Sequence, residues 1–461
     1  MFLRGAEEAV ILPSIWPYLQ MFHADYWNLG LVLSAYYTVG IASAILVGRL
    51  ADRNMNLRFS GIVWNLAEIV GNTIYSLHFN MYLPLLGRMV AGFGEGYASV
   101  IWAELARITT EEERTRYFTL VKVSLFLGVV SGPALNIFLK EFDFYIGNWH
   151  IDFRTSPGFF MALMWILATG IMFVFVYDLS HEMRKERGYE PVSDGPSEEH
   201  FSKQEQLQEG YTIESLSEDK GDDMTSSPFI YEDVIKTEEI DDNSIFPDDS
   251  KKSSSGSFRD AVRDIFTKFH VIVVVYSTFF IIVLHSSLQA IILLVAERML
   301  HWSEDNVTFL FTIWSVEITI FGIILLILSR KISDRLLILI SAIFGCLASV
   351  GVIPLAFSPP TSNRAYYSLL VTIALDGIAS AVINAVGRSS ISKHINPDNQ
   401  GMVQAILTVL NRLASITGPL IGSSLFTHKK IFAIILSGSQ ILELVLVILA
   451  FNKFKVNLSK S

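Results

Sequence analysis

The sequence predicts an all-α polytopic membrane protein of twelve transmembrane helices in two pseudo-symmetric six-helix halves, the first helix shortened. Three observations predict it. The 461 residues are 51% hydrophobic and 12% aromatic, with a mean hydropathy of +0.43, more apolar surface than a soluble fold of this size can hide. Twelve apolar runs, each near the ~20 residues that hydrocarbon demands, fall six and six around one polar stretch. Two short phrases also recur about 285 residues apart, a repeat on the scale of half a chain of spans. Arg49-Leu50-Ala51-Asp52-Arg53 returns as Lys331-Ile332-Ser333-Asp334-Arg335, and Ser131-Gly132-Pro133 returns as Thr417-Gly418-Pro419.

The first six runs lie near 5–20, 29–48, 58–77, 82–104, 117–139 and 157–178. The second six lie near 269–295, 306–328, 336–357, 366–388, 402–424 and 431–452. In lipid, every backbone group must be bonded within its own segment, so these runs are helices. The first starts at Met1 and carries Arg4, Glu7 and Glu8 with almost no lead-in, which predicts either a longer natural chain or a shortened first helix. The predicted organisation is an N-terminal half over 1–180, an acidic cytosolic linker over 181–257 and a C-terminal half over 258–461.

Charge sets the orientation. The net charge of −10 belongs to the linker, where 21 Asp and Glu face 8 Lys and Arg. Elsewhere the bases gather after even-numbered spans: Arg49, Arg53 and Arg58; Arg107, Arg114 and Arg116; Arg330, Lys331 and Arg335; Arg388 and Lys393. By the positive-inside rule, both termini and the linker are expected in the cytosol. The linker is rich in Ser, Glu and Asp without helical apolar period, which predicts disorder. Its Tyr189-Glu-Pro-Val192 and Tyr231-Glu-Asp-Val234 fit the tyrosine-x-x-bulky pattern that clathrin adaptors read.

Cys346 is the only cysteine, so no disulfide or cysteine metal site can form within the chain. No nucleotide loop, metal-ligand cluster or nucleophile triad stands in the sequence, and the expectation is no enzyme, no cofactor, no metal and no nucleic-acid partner. Gly92-Phe93-Gly94-Glu95-Gly96 imitates a phosphate loop only superficially, since it lies inside a membrane run rather than after a strand.

The repeated loop, with Gly48 four residues before Asp52, resembles the signature loop of the major facilitator superfamily, although Met55 stands where that pattern has a second Gly. The resemblance implies a conformational latch built from Gly48, Asp52 and Arg53 and, in the second half, Asp334 and Arg335. Arg88-x-x-x-Gly92-x-Gly94 in span four and Gly128-x-x-x-Gly132-Pro133 in span five resemble two further motifs of the superfamily. Glycines at this spacing let helices approach closely, and Gly-Pro pairs, here Gly132-Pro133 and Gly418-Pro419, bend helices by removing a backbone donor. Tight packing alone is the alternative reading.

Ionisable groups inside the spans are more telling, because each costs several kcal/mol in hydrocarbon unless it faces water or a partner. At ~1.5 Å rise per residue, Glu7, Glu8, Glu95, His285, Glu317, Asp376 and Arg412 all fall near mid-depth, with Glu68 midway along span three. In the superfamily, spans one, four, seven and ten line a central cavity, so the resemblance places Glu7, Glu8, Arg88, Glu95, His285 and Asp376 there. Glu95 and Asp376, with His285, are the expected proton-coupling groups. Arg88 and Arg412 are expected to hold an anionic group or to fix neighbouring acids, and Glu68, Glu317 and Arg412 are the expected buried charge partners. A static buried pair such as Glu317 with Arg412 is the alternative.

Within the superfamily the chain resembles the lysosomal ceroid-lipofuscinosis group. Ser14-Ile15-Trp16-Pro17-Tyr18-Leu19-Gln20 and Glu113-Arg114-Thr115 carry the resemblance, with Val316-Glu317, Ser329-Arg330-Lys331, Ser392-Lys393 and Gln400-Gly401. It implies a polytopic protein of late endosomes and lysosomes. Glu95 stands where that group is expected to have a small residue, which implies a different cavity chemistry. The expected activity is secondary active transport, by alternating access, of a small anionic or zwitterionic solute linked to protons. An anion channel on the same fold and a non-transporting scaffold acting through the acidic linker are the alternatives.

Overall fold

Helices occupy all twelve runs in the computed structural model, which describes residues 1–51, 57–98, 101, 102, 105, 111–175, 258–328, 332–395 and 400–454. Asp52, Arg53, Tyr189 and Tyr231 lie outside the described residues, and so does all of the expected linker.

Span one is two helices, α1 (Phe2–Ala9) and α2 (Leu12–Gln20). Pro13 explains the break: it has no N–H to donate back to Ala9, so the ladder lapses at Val10 and Ile11 and a new helix starts, which then runs on through Pro17. The N-terminal half continues with α3 (Tyr26–Ala51), α4 (Leu57–Tyr75), α5 (Tyr82–Glu95), α6 (Glu111–Leu139) and α7 (Ser156–Phe175). The C-terminal half begins with α8 (Phe258–Thr267), a short amphipathic helix, followed by α9 (Phe269–Arg298) and α10 (Glu304–Leu328). It ends with α11 (Asp334–Phe357), α12 (Asn363–Ser392), α13 (Gln400–Ser424) and α14 (Lys429–Ala450). Among the described residues, α3, α7 and α9 to α14 are long and apolar enough to cross a membrane by length and composition alone. The other four spans are those that carry most of the polar groups of the N-terminal half.

Between α6 and α7 lies a small hairpin, β1 (Phe144–Ile146) antiparallel to β2 (Trp149–Ile151), with Tyr145 opposite His150. Its two-residue turn starts at Gly147, whose φ of +63° is a left-handed conformation that side-chain-bearing residues resist.

The halves meet through symmetry-related elements: α3 packs on α13, and α6 packs on α10. Glycine makes the first approach close, since a Cβ at Gly30 would lie 2.2 Å from Ser423 Oγ and 2.7 Å from Pro419 O. Ser34 Oγ donates to Ile416 O at 2.8 Å across the same seam. At one end of the bundle, α2 also touches α9 and α10. There Trp16 Nε1 and Gln20 Nε2 both donate to the Glu297 carboxylate, and Lys140 Nζ donates to Asp305 at 2.8 Å.

Within the N-terminal half, α1 lies in a glycine seam of α6. A Cβ at Gly5 would meet Leu125 O at 2.1 Å, one at Gly128 would meet Phe2 O at 2.0 Å, and one at Gly132 would meet Val10 N at 2.8 Å. The span-five glycines thus serve close packing, and α6 and α13 run as continuous helices through Pro133 and Pro419. Gly418 likewise lies against span seven, where a Cβ would meet Ser286 Oγ at 2.0 Å.

Candidate functional site

Among the described residues, two groups of ionisable side chains stand out in the interior, one centred in each half. The first is built on α1, α4 and α5. Residues 4, 7 and 8 project from the first two turns of α1, and the packing of α1 on α6 leaves Arg4 and Glu7 buried. Glu7 receives three donors: Arg88 Nη1 at 2.9 Å, Asn72 Nδ2 at 2.9 Å and Trp165 Nε1 at 3.2 Å. A carboxylate so held is stable away from water, because charge-assisted bonds replace its hydration. The Arg88 guanidinium in turn lies over the Tyr36 ring, 4.2 Å from its centroid.

Arg4 does a second task. The helix α5 ends at Glu95, where Gly94 and Gly96 flank the acid and the chain turns. A helix that stops inside a bilayer strands its last carbonyl oxygens. Arg4 supplies added donors, Nη2 to Gly94 O at 3.0 Å, which also accepts from Tyr97 N at 3.2 Å, and Nη1 to Glu95 O. The same guanidinium lies 3.5 Å from the Glu95 side chain and 3.9 Å from that of Glu68. Glu68 is fully buried, and neither of its carboxyl oxygens has a hydrogen-bond partner.

Glu95 is also the link to the other half. Its Oε1 accepts from Arg412 Nη2 on α13 at 2.6 Å. The pair stands beside Gly40, where a Cβ would meet Glu95 Oε2 at 2.6 Å and Arg412 Nη1 at 3.2 Å. Both of those atoms are buried and lack a partner, a donor and an acceptor left over at the junction of the halves. Half-buried Glu8 accepts from the Tyr37 hydroxyl on α3.

The second group lies on α9, α10 and α12. His285 Nδ1 is 2.7 Å from Asp376 Oδ2, and its Nε2 is 3.4 Å from Gln289 Nε2. A neutral imidazole with its proton on Nδ1 satisfies both contacts, donating to the carboxylate and accepting from the amide. The ring packs on Trp314 at 4.6 Å between centroids. Asp376 is fully buried and its Oδ1 has no partner. Glu317 abuts α12 one residue further on, since a Cβ at Gly377 would meet its carboxyl oxygen at 2.9 Å.

Arg412 therefore pairs with Glu95 across the halves and not with Glu317. At the loop before α11, Asp334 pairs with Lys393 at 2.7 Å within its own half, and Arg335 lies over the Phe451 ring at 5.3 Å. Of the first-half loop, Gly48 is helical in α3.

A model of the Major Facilitator Superfamily matches residues 1–284 and 274–454. The chain belongs to the Major Facilitator Superfamily. Its proteins are transporters, and the chain is similar over 196 residues, at 27% identity, to major facilitator superfamily domain-containing protein 8 of Xenopus laevis. That match takes in 40% of this chain and 38% of the frog protein's length. A tetracycline resistance protein, class D, of Salmonella ordonez is 22% identical over 404 residues, 87% of this chain and 80% of that protein. Among solved structures, a peptide transporter POT in complex with sulfate superposes with a TM-score of 0.64 at 12% identity, covering 98% of this chain and 92% of that one. An inward-facing, unoccupied bacterial homologue of the human lysosomal transporter Spinster gives 0.60 at 14%, covering 98% and 93%. These likenesses fix the superfamily fold.

Two members of the interior charge set escaped the sequence reading. Arg4 was visible only as a charge in a defective span, and its role depends on the break at Glu95. Glu443 is fully buried on α14 and adjoins Ser277 on α9. It is the only acid in the 22 residues of α14, and that isolation was the available signal.

Proposed function

We propose that this superfamily member is a secondary active carrier that moves a small anionic or zwitterionic solute across the endolysosomal membrane, linked to protons, by alternating access. The observation that supports this most is the Glu95–Arg412 pair at 2.6 Å, which joins the halves at the level of their buried charges. A contact between mid-membrane charges on separate bodies must break when the bodies rock, and the charges it frees then need a proton, a solute group or water. His285 and Asp376 offer the second half's equivalent, a titratable pair within hydrogen-bond distance.

In this reading Glu95, Asp376 and His285 exchange the proton, while Arg412 and Arg88 attract the solute's negative group or hold the neighbouring acids. Glu7, Glu8, Glu68 and Glu317 complete the charge balance. The loops at Gly48, Asp52 and Arg53 and at Asp334 and Arg335 act as the latch. In this reading, which the base-rich loops support, both termini and the stretch over 181–257 are cytosolic and Tyr189 and Tyr231 are read by clathrin adaptors. Similarity to the frog protein and to the Spinster homologue favours the lysosome or late endosome. The reading leaves no catalytic task to any residue.

A solute-uptake screen in proteoliposomes under an imposed pH step tests the proposal. Wild type is expected to accumulate an anionic or zwitterionic solute only when the step is present, and Glu95→Gln or Asp376→Asn to abolish that dependence. Uptake by both variants with wild-type pH dependence would overturn the coupling assignment. Co-localisation of the tagged chain with a lysosomal membrane marker tests the location.

A further inference from the structure

We propose that Glu68 is a proton-binding group of the carrier and that Arg4, shared between Glu68 and Glu95, transmits its protonation to the contact between the halves. The inference rests on the proton-linked reading above and assigns it a residue and a linkage.

The first group holds four carboxyls, Glu7, Glu8, Glu68 and Glu95, against three guanidinium groups, Arg4, Arg88 and Arg412. An unmet charge in a membrane interior is costly, so the excess acid fits one carboxyl that carries a proton; Arg388, beyond Arg412, donates to Thr408. Geometry selects which. Glu7 has Arg88 and two neutral donors, and Glu95 has Arg412 at 2.6 Å and Arg4 at 3.5 Å. Glu8 is half-buried and accepts from Tyr37. Glu68 alone of the four is sealed from solvent without any hydrogen bond to its oxygens, and its nearest cation stands off at 3.9 Å.

The surroundings of Glu68 are complete enough to support this. From α1 it faces Arg4 and Glu7, from α3 Tyr36, and from α5 Arg88 and Glu95. On its own helix, Asn72 is committed to Glu7 and to the Glu68 backbone carbonyl. The helix α7, packed on the other side of α4, contains no ionisable residue. Arg4 is thus the one cation that can serve Glu68 without leaving another buried acid bare, because Arg88 is taken by Glu7.

The linkage follows from that sharing. When Glu68 is neutral, Arg4 is free to move fully onto Glu95 and compete with Arg412, which loosens the junction of α5 with α13. When Glu68 loses its proton, Arg4 is drawn away from Glu95, and Arg412 is needed to neutralise it. Proton uptake therefore favours separation of the halves at this level, and proton release favours their closure. By reciprocity, holding the halves together disfavours protonation of Glu68.

The test is pulsed electron-spin distance measurement on the purified full chain in lipid nanodiscs. One nitroxide replaces Phe138 on α6 and one replaces Phe309 on α10, both exposed, with Cys346→Ser so that the labels are unique. In this background, lowering the pH from about 8 to about 5, the range in which buried switch groups titrate, is expected to shift the distance distribution. Glu68→Gln, which mimics the neutral acid, is expected to hold the low-pH distribution at both pH values, and Asp260→Asn, at an exposed acid of α8, to keep the response. A shift in Glu68→Gln equal to that of the labelled parent would overturn this inference and leave proton linkage standing. No shift in the parent would sink this inference, and absence of pH-dependent uptake would sink the proton-linked reading itself. Acid-induced infrared difference spectra give an independent readout: a protonated-carboxyl C=O band is expected in wild type, moved in frequency in Glu68→Asp and lost in Glu68→Gln. An unchanged band in Glu68→Asp contradicts the assignment even if Glu68→Gln does not fold.

Discussion

Arg88 shows what a buried charge asks of its neighbours. It is nearly sealed from solvent and is met by Glu7 at 2.9 Å and by the face of Tyr36. Removing Glu7 leaves an uncompensated guanidinium, which costs about 3–5 kcal/mol, whereas removing both partners costs much less. Glu7→Leu is therefore expected to lower stability by about that amount in denaturation of the detergent-solubilised protein. Glu7→Leu with Arg88→Met is expected to recover most of it, and additive losses in the double-mutant cycle would contradict the pairing. The sequence made Arg88 and Glu7 legible separately, as ionisable groups within apolar runs. Their union was not legible, because it depends on how far α1 slides along α6. The same holds for Arg412: depth along the spans suggested Glu317 as its partner, and the packing of α13 on α3 brings it to Glu95 instead.

At the scale of the elements, hydrophobic length sufficed where a helix is regular. The run over 366–388 became Asn363–Ser392 and the run over 402–424 became Gln400–Ser424. It was insufficient where backbone chemistry intervenes. Pro13 divides span one, and the Gly94-Glu95-Gly96 stretch ends α5 well before the run over 82–104 does. The hairpin at 144–151 carries a Gly147-Asn148 turn signal, but its three-residue strands are too short to show an alternating pattern. The glycine seam between α1 and α6 yields a contrast within one helix bundle. Gly128→Val places atoms against the Phe2 carbonyl and is expected to cost more than the about 1–3 kcal/mol usual for overpacking, since backbone must move. Gly170→Val on α7 meets nothing within 4 Å and is expected to be nearly neutral. Thermal melts of the two purified variants check this, and equal losses would contradict the seam.

For the whole molecule, the two halves are joined by contacts of unequal worth. The Lys140–Asp305 pair at 2.8 Å is solvent-exposed, and exposed pairs contribute little. Its hydrogen bond raises the Lys140 ammonium above its ordinary value. A raised base contributes fully below its unfolded pKa and loses that contribution only as pH rises through the folded one, so this pair holds throughout the physiological range and fails in alkali. The Glu297 carboxylate, gripped by Trp16 and Gln20, is the stronger closure. With labels at Phe138 and Phe309, Glu297→Leu is expected to shift the distances between the halves at neutral pH, and Lys140→Met to leave them nearly unchanged. An equal effect of both would mean that closure depends on long-range charge and not on these hydrogen bonds. The duplicated architecture was legible from the repeated phrases; which side chains bridge the copies was not, since a bridge is a property of two surfaces and the repeat describes one.

The central claim is that Glu95 and Arg412 couple the halves during transport, and reversal of their charges tests it most directly. In proteoliposomes under a pH step, Glu95→Arg and Arg412→Glu are each expected to abolish solute accumulation, and the two together to restore a substantial part of it with the pH dependence retained. A double variant no more active than either single one, in protein that remains monodisperse, would contradict the claim.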